Sequence, residues 1–328
     1  MARKIAVTGA FGNIGSLVIR ELLSQGYRVV AMDKASPVTQ KNAKAFASTG
    51  IDIAWGDITV AREVEAALQG VDAVIHLAGI FPPVSENNHV LSYAVNVEGT
   101  RNILAAMEKS PTAKQLVFAS SIAVYGKQQG RIPPPLKATD PAAPDDFYGK
   151  NKAECEVMIQ ASPLRWTLMR IGACPPVNVS NMTSFKGTPL FDSHPDSRLE
   201  IVHPADVALA FVNALSCEAA IGKTLLLGGG AKNQVTYQQQ LSSLFMAIGQ
   251  KPLPREVFQI KEPIEFHGDW LDTEESQRLL KFQRHTVQQQ HQDFWNSLGV
   301  ARYALLFLKP ISPLIAWVVK RNSPYCRK

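Results

Sequence analysis

Cysteine is scarce: Cys155, Cys174, Cys217 and Cys326 are the only four in 328 residues, and no two stand at the spacing of a metal-binding pair. That excludes a disulfide framework as the source of stability, and the thiols are expected to be reduced, as in a cytosolic chain. No apolar leader precedes the first strand-like run, which begins within Met1-Ala2-Arg3-Lys4-Ile5. A secretory signal is therefore not expected, and the expected location is cytoplasmic. There is no internal repeat, and Gln238-Gln239-Gln240 and Gln288-Gln289-Gln290 are too short to make a low-complexity segment. Acidic residues are missing beyond Gly299. Six of the 34 basic residues lie there, and the other 28 balance the 28 acidic residues of the preceding chain. The net charge of +6 thus belongs to the tail and gives no reason to expect a nucleic-acid surface on the main body.

What remains is an ordinary globular composition, 46% hydrophobic and 19% charged, on a chain long enough for one large α/β domain or a domain with a lobe. Short β-rich runs occur at 4–8, 27–33, 51–56, 73–77, 115–119 and 166–171. Helical spacing occurs at 13–25, 61–68, 90–107 and 148–160. Strands alternating with helices predict a Rossmann-type, doubly wound parallel sheet, with ligands beyond the carboxyl ends of its strands. Alternation fades near Arg170. A loop-like stretch at 174–197 leads to expected helices at 204–215, 237–248 and 273–280 and a strand at 224–227. The expected division is a dinucleotide-binding domain at 1–172, a smaller substrate lobe at 173–299 that returns elements to the main domain, and a basic, apolar tail at 300–328.

The first strand runs into Thr8-Gly9-Ala10-Phe11-Gly12-Asn13-Ile14-Gly15, and a helix follows. Glycines there let the backbone approach a pyrophosphate, and the helix N-terminus offers N–H groups and a positive dipole end to the anion. A glycine pattern alone is weak evidence, because an ordinary turn has one too; its placement between strand and helix is what carries the reading. Gly9, Phe11, Gly12, Asn13, Ile14 and Gly15 are the expected cradle. Asp33 ends the second strand, where a carboxylate accepts from ribose hydroxyls and repels a 2′-phosphate. That favours NAD over NADP, although Lys34 could offset the repulsion. Asp57, with Ile58 beside it, falls where an adenine amino group could bind; alone it reads as a helix cap.

Tyr148 and Lys152 stand four apart, on one helix face. A cation beside a phenol favours the phenolate, and an oxidised nicotinamide adds a second positive charge, so Tyr148 could act as acid/base. A lone pair of this spacing is common on amphipathic helices. Here Ser120 and Ser121 close a preceding strand on the cofactor edge, where a hydroxyl can orient a substrate oxygen; turn capping is the alternative.

Taken together these residues resemble the extended short-chain dehydrogenase/reductase family, the NAD-dependent epimerase/dehydratase group. Further matches follow in order: His76-Leu77-Ala78-Gly79, Asn96-Val97-Glu98-Gly99-Thr100, Ile201-Val202-His203-Pro204-Ala205-Asp206-Val207-Ala208, and the stretch from Trp270-Leu271-Asp272-Thr273 to Phe282. The resemblance covers about residues 1–285. It implies Ser121 as substrate-oxygen donor, Tyr148 as acid/base, and Lys152 as its tuning cation and ribose ligand. It also implies that Leu77, Ala78, Gly79, Asn96 and Ile171 line an NAD site. Dimerisation through the helices at 90–107 and 148–160 is a further implication.

The chain departs from the sugar-nucleotide branch where a diphosphate-gripping arginine is usual. Leu199 stands there, with Arg198 one position off, and the loop before Val202 is short. This tilts the expectation toward an NAD-dependent oxidoreductase acting on a secondary alcohol or ketone, apolar as in the steroid-dehydrogenase relatives. A sugar-nucleotide epimerase or dehydratase, or a non-enzymatic NAD-binding protein, are the alternatives. Phe81, Ile122, Cys174, Phe185 and His203 are the expected substrate contacts, with packing as the plainer role of Phe81, Cys174 and Phe185 and helix capping that of His203. No metal is expected. The apolar stretch at 303–319, interrupted by Lys309, Pro310 and Pro313, is short of the roughly 20 residues that span a bilayer. Docking on its own domain, a partner subunit or the pocket mouth, or a peripheral contact with anionic lipid, are its open readings.

Overall fold

Alternate residues of the strands face two separate cores, and this sets the architecture. The structure is a computed structural model that describes residues 2–177, 191–247, 250–300, 302–303 and 312–326. Strand β1 (Lys4–Thr8) is followed by α1 (Gly15–Ser24), β2 (Arg28–Asp33), α2 (Pro37–Ala43), β3 (Asp52–Trp55), α3 (Ala61–Ala67) and β4 (Ala73–His76). Ile5, Val7, Ala31, Ile75, Val117 and Met169 point to one side, against Val18, Ile19 and Leu22 of α1. Ala6, Val30, Met32, Val74, Leu116, Phe118 and Leu168 point to the other, against Val64 of α3. A sheet buried on both faces explains the short, nearly continuous apolar runs in the sequence.

Short helices α4 (Val84–Asn87) and α5 (His89–Tyr93) lead through a single π turn at Ala94–Glu98 into α6 (Gly99–Lys109). Then come β5 (Gln115–Ser121), α7 (Phe147–Ala161), β6 (Arg165–Ile171), β7 (Arg198–Glu200), α8 (Pro204–Ala214), β8 (Lys223–Leu227) and β9 (Gln234–Thr236). Seven strands pair in the order β3-β2-β1-β4-β5-β6-β8, all parallel. The chain leaves β1 toward β2 and β3 and returns on the other side as β4, so the order reverses between β1 and β4. That is where a doubly wound sheet opens a ligand crevice.

The single helix expected at 90–107 is instead broken by the π turn. Asn96 lies in the break, and its amide clamps the Ile80 backbone, accepting from the Ile80 N–H at 2.7 Å and donating to its carbonyl at 2.8 Å. Residues beyond 172 divide between two bodies. β8 joins the main sheet beside β6, and α8 packs its buried face on the α1 side. β7 and β9 form a separate antiparallel pair, with α9 (Tyr237–Ala247) against β9 and α11 (Val287–Ser297) against α9, while α10 (Glu274–Leu280) packs on α8 and β8. In the tail, α12 (Ser312–Asn322) docks on the lobe: Ser312 Oγ accepts from Lys251 N at 3.1 Å, and Ser323 Oγ donates to the Val257 carbonyl at 2.7 Å. No described helix is long and apolar enough to cross a membrane.

A buried ionic cluster ties α7 to the sheet. Arg170 of β6 forks onto Glu156 of α7 at 2.9 and 2.7 Å, and Ser120 Oγ of β5 donates to Glu156 at 2.5 Å. Arg170 also donates to the Tyr125 hydroxyl at 2.6 Å. Truncating one partner of such a pair strands the other charge in the interior. Arg170→Met is expected to cost about 3–5 kcal/mol in urea unfolding. The double change Arg170→Met with Glu156→Leu should recover most of that.

Candidate active site

The reversal between β1 and β4 is occupied by the glycine turn. Gly9 adopts φ +65°, and a Cβ there would lie 2.9 Å from the Ala78 backbone. A Cβ on Gly15 would lie 2.1 Å from the Gly9 carbonyl oxygen. Only glycine permits both the turn and its contact with the strand end at Ala78. Gly12 is exposed and Asn13 and Ile14 partly so, while Phe11 turns inward against Phe46 and Trp55. Ile14 stands at the N-cap of α1 and supplies no side-chain cap, leaving that end suited to an anion.

Asp33 lies beside the turn, its carboxylate accepting from Phe11 N and Lys34 N at 2.8 Å each. Burial raises its pKa against these two hydrogen bonds. Lys34 reaches away to Asp57, at 2.7 Å. Asp57 also caps Thr59, accepting from its N–H and hydroxyl at 3.0 and 2.8 Å. Ile58 packs against Gly99, where a Cβ would lie 2.6 Å from its Cδ1. Leu77 and Ala78 pack at the strand end, and Asn96 holds the loop behind them from within.

Helix α7 starts over the end of β5. Asp146 caps it, accepting from Gly149 N at 2.6 Å. A Cβ at Gly149 would lie 2.4 Å from the Ala123 carbonyl oxygen, so the first turn of α7 rides directly on the chain after β5. This brings the phenol of Tyr148 into hydrogen bonding with Ser121, whose Oγ also accepts from Ala123 N at 3.1 Å. Lys152 is buried and donates to the Ala119 carbonyl at 2.6 Å. Its Nζ lies 5.8 Å from the Tyr148 ring centre and 4.6 Å from that of Phe118. A Cβ on Gly79 would sit 3.6 Å from the same ammonium. Cradle and Tyr–Lys pair therefore share one crevice, joined through Ala78 and Gly79.

The electrostatics differ from the sequence expectation. Burial pushes the Tyr148 phenol up to about 12, with the Ser121 hydrogen bond opposing it. Burial also lowers the pKa of Lys152. The expected lowering of the phenol by Lys152 is therefore not what the structure gives: burial dominates both groups. His76 is held neutral, its pKa lowered to about 3 by burial and then by Lys152, and it hydrogen-bonds Thr8 at 2.6 Å and Thr100 at 3.1 Å. Sequence reasoning missed Glu156 and its union with Ser120 and Arg170. Its four-residue spacing from Lys152 was a signal that only the partners' positions could decode.

The remaining candidates separate. Phe81 is 46% exposed beside Pro82 and Pro83, whereas Ile122 is buried with Val124, Leu136 and Leu271. Ile171 is partly buried, its strand pairing with Ser121 on one side and Leu227 on the other. Burial pushes the Cys174 thiol up to about 12. His203 caps α8, accepting from Ala205 N at 3.1 Å, and stacks on His285 at 4.2 Å. Phe185 lies outside the described residues. Arg198 is forked onto the buried Asp269 at 2.6 and 2.8 Å, and Leu199 is buried. All four cysteines are free, and no metal-binding group occurs among the described residues.

The family signature of NAD dependent epimerases and dehydratases matches residues 5–173, and the chain belongs to that family. D-erythronate dehydrogenase of Haemophilus influenzae is 27% identical over 168 residues, 48% of this chain and 49% of that protein. UDP-glucose 4-epimerase 2 of Oryza sativa subsp. japonica is 34% identical over 164 residues, 47% of this chain and 39% of that protein. The chain thus spans half or less of the length of these curated relatives. A crystal structure of UDP-glucose-4-epimerase from Stenotrophomonas maltophila, with bound NAD and formylated UDP-arabinopyranose, superposes with a TM-score of 0.75. It covers 92% of this chain and 99% of that one at 22% identity, a likeness of fold.

The family's cofactor, NAD, fits these residues: an uncapped helix N-terminus behind a glycine turn, and an acidic strand end beside it. Lys34, engaged by Asp57, leaves the charge of Asp33 dominant there. Asp33→Ser is expected to weaken NAD binding about tenfold and relax discrimination against NADP, as read by titration calorimetry with both dinucleotides.

Proposed function

We propose that this protein is an NAD-dependent oxidoreductase that interconverts a secondary alcohol and a ketone, with Ser121, Tyr148 and Lys152 as its working groups. The observation that carries the reading is their convergence: Tyr148 on Ser121, with the Lys152 ammonium between the phenol ring and Gly79. In the oxidising direction Ser121 holds the substrate hydroxyl and Tyr148 removes its proton. Lys152, fixed by the Ala119 carbonyl, keeps a positive charge beneath the phenol. Bound NAD supplies the hydride acceptor. When bound, its positive charge would favour loss of the proton from a phenol that burial pushes up to about 12.

A neutral substrate is favoured over a nucleotide sugar. Arg198, the arginine nearest the position that grips a diphosphate in the sugar-nucleotide branch, is already committed to Asp269. Epimerisation or dehydration with hydride return is the second reading, favoured by the curated relatives. Isomers formed from UDP-sugars without added NAD would select it.

Two features bear on partners. Val90 and Val157 are exposed on α5 and α7, at 83% and 66%, on the helices that would pair in a homodimer; sedimentation at micromolar concentration tests this. On α12, Trp317 and Val318 are exposed beside Lys320 and Arg321, a face suited to peripheral contact with anionic lipid, and flotation with phosphatidylserine vesicles tests that.

Two outcomes follow for catalysis. Tyr148→Phe should lower NADH-linked turnover of an alcohol and ketone panel by about 10²–10⁴-fold, and undiminished turnover would reject the assignment. Oxidation needs the phenolate, so its kcat/KM should rise with pH to a plateau. Reduction needs the protonated phenol and should fall through the same pH range.

A further inference from the structure

The chain between β4 and α6 runs alongside the catalytic helix and grips it repeatedly. Glu86, in α4, sends its carboxylate to the first turn of α7, where Oε2 accepts from Phe147 N at 3.1 Å and Oε1 from Tyr148 N at 3.0 Å. His89 stacks on the Phe147 ring at 4.1 Å and 15°. One turn further, Ser92 Oγ accepts from Asn151 Nδ2 at 3.0 Å, and Tyr93 donates to Glu154 at 2.8 Å. The Asn96 carbonyl then accepts from the Cys155 thiol at 3.1 Å. Asp146 already satisfies the Gly149 N–H as an ordinary cap. Glu86 satisfies the two preceding amides from outside the helix, 62 residues away in sequence from Tyr148.

We propose that Glu86 is a positioning residue for Tyr148, clamping the backbone on which the phenol is carried so that its hydroxyl stays on Ser121. The same stretch of chain carries Phe81, which is exposed. Ser85 steadies the clamp, its Oγ donating to Glu86 Oε1 at 3.0 Å. The proposal rests on the reading of Tyr148 as acid/base. It adds a residue that touches neither cofactor nor substrate and acts through the amides of the catalytic turn.

The test separates reach from charge. Glu86→Asp keeps the negative charge but is one methylene too short to span both amides. Glu86→Gln keeps the length and one acceptor but removes the charge. The readout is the ionisation of Tyr148 in the NAD-loaded protein, followed by near-ultraviolet tyrosinate absorbance with the Tyr148→Phe protein subtracted. The other ionisable groups around this turn include His89, Asp145, Asp146, His267, Lys152 and Cys155, and all are common to the variants.

A phenol that loses its Ser121 hydrogen bond ionises at higher pH, so Glu86→Asp should titrate about half a unit above wild type. Removing a nearby negative charge favours the phenolate, so Glu86→Gln should titrate at or below wild type. Coincidence of Glu86→Asp with wild type would overturn the proposal, and so would an equal upward shift in both variants. The functional reading fails separately, by undiminished turnover in Tyr148→Phe. A Tyr148 that does not ionise before the NAD-loaded wild type unfolds overturns both.

Discussion

Everything at the crevice depends on one close approach, the first turn of α7 lying directly on the chain that leaves β5. Gly149 is the enabling residue, because any side chain there would meet the Ala123 carbonyl oxygen at 2.4 Å. Once the helix is that near, Lys152 has no route to solvent and must satisfy its ammonium on the Ala119 carbonyl. The price in desolvation is visible in its lowered pKa. The position so fixed also places the charge within reach of Tyr148 and Gly79. A lysine on a more distant helix would snorkel to water and do none of this.

Two interactions keep that approach from relaxing. Below, the Arg170–Glu156 fork binds α7 to β6 and, through Ser120, to β5. Beside it, the π turn lets Asn96 serve two structures at once. Its side chain holds the loop at Ile80, and its carbonyl accepts from Thr100 at 2.6 Å and from Cys155 of α7. A regular helix would have spent that carbonyl within its own ladder.

The central sheet was legible in the sequence because its strands are buried on both faces, which leaves apolar runs between turn residues. The glycine turn was legible for the same local reason. What was not legible was long-range or masked. The helix at 90–107 kept its apolar period through the π turn, because Val90 and Leu91 continue the pattern although they face solvent. Helix α11 was missed because Gln288, Gln289 and Gln290 leave its first turns with little apolar content. Its start is nonetheless written in the capping box of Thr286 and Gln289. In the site, the Tyr–Lys spacing could be read, but the partners of Glu156 stand 36 residues before it and 14 after it, and only the fold brings them together. Arg198 has the charge to bind a diphosphate; its engagement by Asp269, 71 residues on, is a tertiary fact.

The phenol's balance of charges carries a consequence for the proposed reaction. Burial dominates the Tyr148 phenol and pushes it up to about 12. Lys152 stands under the ring, yet its own burial already strains the charged state. A further positive charge brought near the phenol would favour loss of its proton. Dinucleotide bound between the glycine turn and Asp33 would bring that charge, and substrate would bring none. On the proposed reading Tyr148 would become competent for oxidation with the cofactor in place, and burial of the phenol is what would tie its acid/base role to the dinucleotide.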